Sequence, residues 1–265
     1  MAALTAAHRL VLTAAEYAHL VGELGMSMPP DWAPAPDVTT GAEAEALAAR
    51  DIVVDGRVHP SVAANLRVLS GPQIMFDTTA TISTRGSRSL HAIAGRLGAS
   101  LFLLPDAAVE LSMFQATDLG RELVRAVPAE ERGGIGSALD AEEAEPLRGR
   151  VPLRALHELG VAELLREADP EAPGHVLSEL DLPADEARFA TAVLRRADGV
   201  LHCLVTALIG EGVRTARLTW LHSDTGWVGI RPAPTGADRE LVDLEPVARE
   251  DFGVWLAPFV SEALS

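Results

Sequence analysis

Three consecutive residues, His222, Ser223 and Asp224, carry the side-chain types of a serine hydrolase: a base, a nucleophile and an orienting carboxylate. Their spacing argues against that chemistry. A triad needs three side chains that converge in space, and neighbours in a turn point apart. Ser223-Asp224-Thr225-Gly226 reads instead as a tight turn between two strands. His202 and Cys203 offer a second pairing, but adjacent residues of a strand face opposite sides, so Cys203 reads as a small buried apolar residue. The eight histidines are scattered, with no two at i, i+4 and no HExxH or CxxC spacing, which removes the usual zinc arrangements. Arg132-Gly133-Gly134-Ile135-Gly136 has the glycines of a phosphate loop, without the preceding strand or the following Gly-Lys-Ser/Thr that such a loop needs. Glu142, Glu143 and Glu145 lie in an acidic run with no pocket to serve, a poor setting for general acid–base work.

Composition narrows the field further. All 22 basic residues are arginine. A Schiff-base, P-loop or kinase-type lysine is therefore impossible. The net charge of -16 would repel a phosphate backbone, so no nucleic-acid partner is expected. Cys203 is the single cysteine, which rules out an intrachain disulfide and fits a reducing cytoplasm. The opening residues MAALTAAHRLVL lack a basic leader followed by an apolar run. No segment approaches the roughly 18 uninterrupted apolar residues of a membrane span. The expectation is a soluble, cytoplasmic, globular protein, with enough apolar content (48%) for a sizeable core.

The elements that would position any site form a repeated plan. Thr13 and Glu16 are spaced as a capping box ahead of a helix carrying Tyr17, Leu20, Val21 and Leu24. A proline-rich loop (28–37), a second capping box at Thr40 and Glu43, a turn at Asp55-Gly56 and a helix opened by Pro60 follow. From residue 73 the hydrophobic period changes to two, and strands are expected at 73–82, 89–96, 100–104 and 109–115. Asp118 is placed to cap the next helix. The acidic stretch 128–149 reads as a linker. The mostly helical segment 151–169, interrupted at Gly160, and a helix through Phe189, Val193 and Leu194 precede a second period-two block at 200–242. A last amphipathic helix from about Pro246 carries Phe252, Trp255, Leu256, Phe259 and Val260. The expected fold is α+β: an antiparallel central sheet with flanking helical bundles in two pseudo-symmetric halves, about 1–127 and 150–265.

One sheet face has the look of a protein-binding surface. In the strand beginning at Trp227, the tryptophan, Gly229 and Arg231 share a face; in the strand before it, Arg217 and Thr219 lie opposite Leu218 and Trp220. Trp and Arg are enriched where interfaces are strongest. Arg217, Thr219, Trp227 and Arg231 are therefore the candidate partner-binding residues; the other reading is that helices of this chain cover that face.

The order of motifs resembles the EspG family of ESX (type VII) secretion-associated proteins of actinobacteria. The matching pieces are LTAAEYAHLVGELG, then LAARDIVVDGRVHPSVAANLRVLSGPQIMFD, then LTWLHSDTGWVGI, then the closing helix. In the family the late strand commonly reads Trp-x-Asp-Thr before Gly; here Asp224-Thr225-Gly226 comes two residues later. The resemblance implies a non-enzymatic cytosolic chaperone without cofactor. It would bind the helical tip of a PE–PPE-like secretion substrate through its central sheet and C-terminal helical region and keep it soluble for export. A small-ligand-binding protein or enzyme with a cavity between the halves is the alternative from another class. A self-associating structural protein is a third; a chaperone awaiting its client would be a monomer or weak dimer.

Overall fold

The computed structural model describes residues 9–35, 41–129, 145–166, 168–210, 212–233 and 240–264. The chain opens with strand β1 (Leu10–Thr13) and helix α1 (Ala14–Glu23). The Thr13 hydroxyl accepts from the Glu16 N–H at 3.1 Å, and the Glu16 carboxylate accepts from the Thr13 N–H at 2.9 Å, so the capping box expected from the sequence forms. Thr40, half of the second expected box, lies outside the described residues. Helix α2 (Glu43–Ala48), the small hairpin of β2 (Val53–Val54) and β3 (Arg57–Val58), and helix α3 (Pro60–Ser70) come next. A meander follows: β4 (Ile74–Ile82), β5 (Arg85–Ala94), β6 (Leu97–Leu103) and β7 (Ala108–Gln115), closed by α4 (Leu119–Val124).

The same order then recurs. Strand β8 (Gly149–Pro152) leads to helices α5 (Leu153–Leu164), α6 (Ala172–Leu180) and α7 (Ala184–Arg196). A second meander runs through β9 (Ala197–Ile209), β10 (Gly212–Ser223), β11 (Gly226–Pro232) and β12 (Leu241–Pro246), and α8 (Phe252–Leu264) closes it. Two local readings are corrected. Val151 lies in a strand rather than a helix, and α5 passes through Gly160 without a break. Residues 130–144 of the expected linker lie outside the described residues.

Ten strands form one antiparallel sheet in the order β1-β7-β6-β5-β4-β9-β10-β11-β12-β8. The order mirrors itself about the β4–β9 pair, which joins the halves in register from Ile74 opposite Ala207 to Ile82 opposite Gly199. Each half contributes a meander and an outermost strand that comes from earlier in its sequence. The expected α+β fold with two pseudo-symmetric halves is thus observed.

The two sheet faces are covered differently. On one, α4 and α8 pack over the centre, closing a core of Phe76, Phe114, Leu201, Val205, Trp220, Trp227, Phe252 and Trp255. These two helices touch where Gly253 approaches Gly120, a spot where a methyl group would come within 3.1 Å of the Gly120 Cα. On the other face there are two separate layers. Helices α1 to α3 cover the N-terminal half over Leu90, Leu101 and Leu111, and α5 to α7 cover the C-terminal half over Val228, Val242 and Leu244.

Gly229 shows how tightly the central core is packed. A Cβ there would lie 2.2 Å from the Trp255 ring. Gly229→Ala should lower stability by about 1–3 kcal/mol through overpacking, read as a fall in melting temperature.

Candidate functional site

Strand β9 alternates almost perfectly. Leu201, Cys203, Val205 and Ala207 are buried under α4 and α8, while His202, Leu204 and Leu208 point the other way and are exposed. The period-two pleat alone produces that split. What it exposes is the stretch of sheet between the two helical layers, where, among the described residues, no helix roofs β4, β9 and β10. The floor of this valley holds a depression of about 290 Å³ lined by Asp77, Thr79, Arg88, His202, Leu204 and Arg217.

The valley has a polar wall and an apolar row. On the N-terminal side, Arg88 pairs with Asp77 at 3.0 Å and Asp31 at 3.3 Å and lies over the Trp32 ring at 4.7 Å. The Trp32 indole N–H donates to Asp77 at 3.0 Å. Hydrogen bonding to Asp77 holds the Arg88 guanidinium even more firmly protonated than usual. In the middle, His202 Nδ1 meets the Thr219 hydroxyl at 3.1 Å. Partial burial, and then the charge of Arg217, hold the His202 pKa below the ordinary imidazole value. Arg217 itself is exposed and has no carboxylate partner among the described residues. Towards the β9–β10 turn, Leu208 stands directly opposite Val213; they are 55% and 62% exposed, and Leu204 is 38% exposed. A second exposed apolar group, Val161, Leu164 and Leu165, lies at the end of α5.

The four residues singled out from the sequence do not form one surface. Trp220 pairs with Gly229 and His222 with Trp227. Directly opposed residues share a face, so Trp227 and Arg231 lie with Leu218 and Trp220 on the helix-covered side. Arg217 and Thr219 lie on the valley side. Trp227 is 1% exposed, with its ring 6.3 Å from Trp220. Arg231 lies 3.7 Å over the Trp255 ring and pairs with Glu245 at 3.2 Å. Only Arg217 and Thr219 remain candidates for the valley. The residues missed were Leu204, Leu208, Val213 and His202. Their signal was the polar and apolar mixture on the outward positions of β9 and β10, which cannot be told from sequence without knowing what covers it.

The catalytic pairings also separate. Ala197 opposes Ser223 and Gly199 opposes His222, so Asp198 is an extra residue bulged between them. Its carboxylate meets His222 Nδ1 at 2.6 Å. The Ser223 hydroxyl donates to the Gly226 carbonyl and accepts from the Thr225 N–H, so it serves the turn. Cys203 is fully buried, and burial pushes its thiol up to about 12. Arg132 to Gly136, Glu142 and Glu143 lie outside the described residues. Among the described residues no group of three or more His, Cys, Asp or Glu is placed to hold a metal, and no helix is long and apolar enough to cross a membrane.

Known structures share this architecture. The chain superposes with a TM-score of 0.63 on the type VII secretion system chaperone EspG5 of Mycobacterium tuberculosis, solved in complex with the PE25–PPE41 dimer. That match spans 93% of each chain at 13% sequence identity, and it shows a common fold. HtdX from the same organism aligns over 90% of this chain and 100% of its own at 11% identity, with a TM-score of 0.18 that bears no structural argument. No curated protein sequence matches the chain. The family model of the EspG family spans residues 35–257 and takes in α2 to α7, the whole valley floor and the start of α8, so this chain belongs to the EspG family.

Proposed function

We propose that this protein is a cytosolic, non-enzymatic chaperone of type VII secretion, which holds a helical export substrate of the PE–PPE class in the valley and keeps it soluble. The observation that carries the reading is the sheet that, among the described residues, lies unroofed between two helical layers, with Leu204, Leu208 and Val213 exposed beside Arg217, which has no carboxylate partner among those residues. Exposed apolar side chains flanked by polar ones mark partner-binding surfaces. A rigid floor between two walls suits a rod-like helical tip. Arg217 can meet the carbonyls at a helix C-terminus, where the helix dipole is negative. The shared fold with EspG5, which was captured with a PE–PPE dimer, supports the same class of client. The exposed apolar group at the end of α5 extends the surface available in the C-terminal half.

Arg217→Glu and Leu208→Asp test the reading. Both positions are exposed, so each change should alter stability by less than about 0.5 kcal/mol. Each should weaken capture of the host's PE–PPE-like heterodimer by about tenfold or more, which is the loss typical of a central interface residue. Titration calorimetry with the co-expressed client measures it. Unchanged affinity in both variants removes the valley as the site. A wild-type chain that retains no helical secretion substrate removes the chaperone reading.

A further inference from the structure

Two rows of directly opposed residues cross the valley floor. Asp77 of β4, Leu204 of β9 and Arg217 of β10 form one; Thr79, His202 and Thr219 form the other, with Arg88 of β5 opposite Thr79. Such residues share a face, and all but Thr219 line the depression of about 290 Å³. That lining holds two guanidiniums and one carboxylate, so a chain of net charge -16 carries a positive spot at the centre of its sheet. The charges are unevenly shared. Asp77 takes both Arg88 and the Trp32 indole at 3.0 Å, and Asp31 at the rim reaches Arg88 at 3.3 Å. Arg217 stands two strands from Asp77, about 10 Å at the usual strand spacing, with Leu204 between them. It is exposed and keeps no carboxylate partner among the described residues.

His202 is the diagonal neighbour of Arg217, close enough for long side chains to interact. Its Nδ1 meets the Thr219 hydroxyl at 3.1 Å. The charged groups around it are Arg217 from β10, Asp77 from β4 and Arg88 from β5. Partial burial, then the charge of Arg217, hold its pKa below the ordinary imidazole value. A negative charge placed beside Arg217 reverses that balance and favours the imidazolium. We propose that the depression receives a carboxylate side chain from the helical tip of the client, paired with Arg217, and that His202 takes up a proton as the carboxylate arrives. The inference rests on the reading of the valley as the client site and names the group recognised there. One unshared guanidinium balances one negative charge, which suits a carboxylate better than a phosphate dianion. Such a bond is about twice as strong as one between neutral groups, and Leu204 between the two guanidiniums gives the methylenes of the acid an apolar contact. The His202 pKa is low in the free chain and higher in the complex. Affinity is therefore greatest below the free-chain value and falls as pH rises through the bound one.

The test is titration calorimetry of the full chain with the co-expressed PE–PPE-like heterodimer at pH 8.0 and 6.0, in pairs of buffers that differ in ionisation enthalpy. Wild type should bind up to about tenfold more tightly at pH 6.0, the ratio set by a rise of about one pKa unit, and should take up part of a proton per complex. His202→Gln should lose both the uptake and the pH dependence while still binding at pH 8.0. Arg217→Gln should bind about tenfold more weakly at either pH and lose most of the uptake. Both side chains are exposed, so these variants fold. The acid is located by replacing each Asp and Glu of the client tip in turn with Asn or Gln. Against one such client Arg217→Gln should cost less than about twofold, because the partner is already gone. Equal proton uptake by wild type and His202→Gln, or a full Arg217→Gln loss against every client variant, would overturn this inference and leave the valley as the client site. Unchanged binding by both Arg217→Glu and Leu208→Asp would remove the valley itself, and this inference with it.

Discussion

Trp227→Ala should cost about 3–5 kcal/mol of folding stability, the loss expected for truncating a large buried aromatic. Trp227 is 1% exposed, its ring lies 6.3 Å from that of Trp220 and 4.9 Å from His222, and Trp220 in turn meets Phe252 and Trp255. These rings tie α8 to β10 and β11, so the cavity would open where the last helix docks. A domain of ordinary stability has only about 5–15 kcal/mol in all, so the melting temperature should fall steeply. The indole N–H of Trp227 has no hydrogen-bond partner among the described residues. Trp227→Phe removes that unpaired donor together with part of the ring and should cost less, about 1–2 kcal/mol. Any client lost by Trp227→Ala would follow from loosened structure, whereas Arg217→Glu should lose it at an unchanged melting temperature. Equal stability of Trp227→Ala and wild type in urea titrations would contradict the assigned register of β10 and β11.

Acid should destabilise this protein through His91. The side chain is fully buried between β5 and α4, and its Nε2–H donates to the Glu122 carbonyl at 3.2 Å. Burial, reinforced by the positive charge of Arg125, drives its pKa down to about 3, against the partial relief of the Glu122 hydrogen bond. Around it, Phe102 packs edge-on, Ser100 and Ser112 share a hydrogen bond at 2.6 Å, and Arg125 pairs with both Glu122 and Glu110. The folded-state pKa is depressed, so below the ordinary imidazole value of about 6.5 the unfolded chain takes up a proton that the folded chain refuses. Stability from this group is therefore complete above that pH and is lost as pH falls towards about 3. The slope is about 1.4 kcal/mol per pH unit, or about 3 kcal/mol by pH 4.5. His91→Gln keeps a donor for the Glu122 carbonyl and cannot titrate in this range. It should cost about 1 kcal/mol near neutral pH yet flatten the acid limb of the stability profile. Parallel profiles for wild type and His91→Gln between pH 7 and 4.5 would show that His91 is not held neutral.

The sequence by itself determined the local geometry and most of the plan. The Thr13–Glu16 cap, the helix opened by Pro60 and the period-two blocks depend on neighbours within a few residues, and all appear in the fold. The split within β9 follows from the pleat, which is covalent geometry. Cys203 and His202 had to face opposite ways whatever the rest of the chain did. The duplicated order of helices and strands was legible for the same reason. The short strand β8 was not, because Gly149–Pro152 is too brief to show a period and becomes a strand only by pairing with β12.

Tertiary structure alone decided how the faces of different strands combine. A shift of one residue in register exchanges the two faces of a strand, and no local signal in 217–231 specifies that Trp220 stands opposite Gly229. That single pairing sends Trp227 and Arg231 into and over the aromatic core and leaves Arg217 and Thr219 in the valley. Coverage was equally hidden. Leu204, Leu208 and Val213 have the composition of core strand residues and are exposed only because α1 to α3 and α5 to α7 stop short of the centre of the sheet. Periodicity reports which residues share a face; whether a helix covers that face is set by long-range packing.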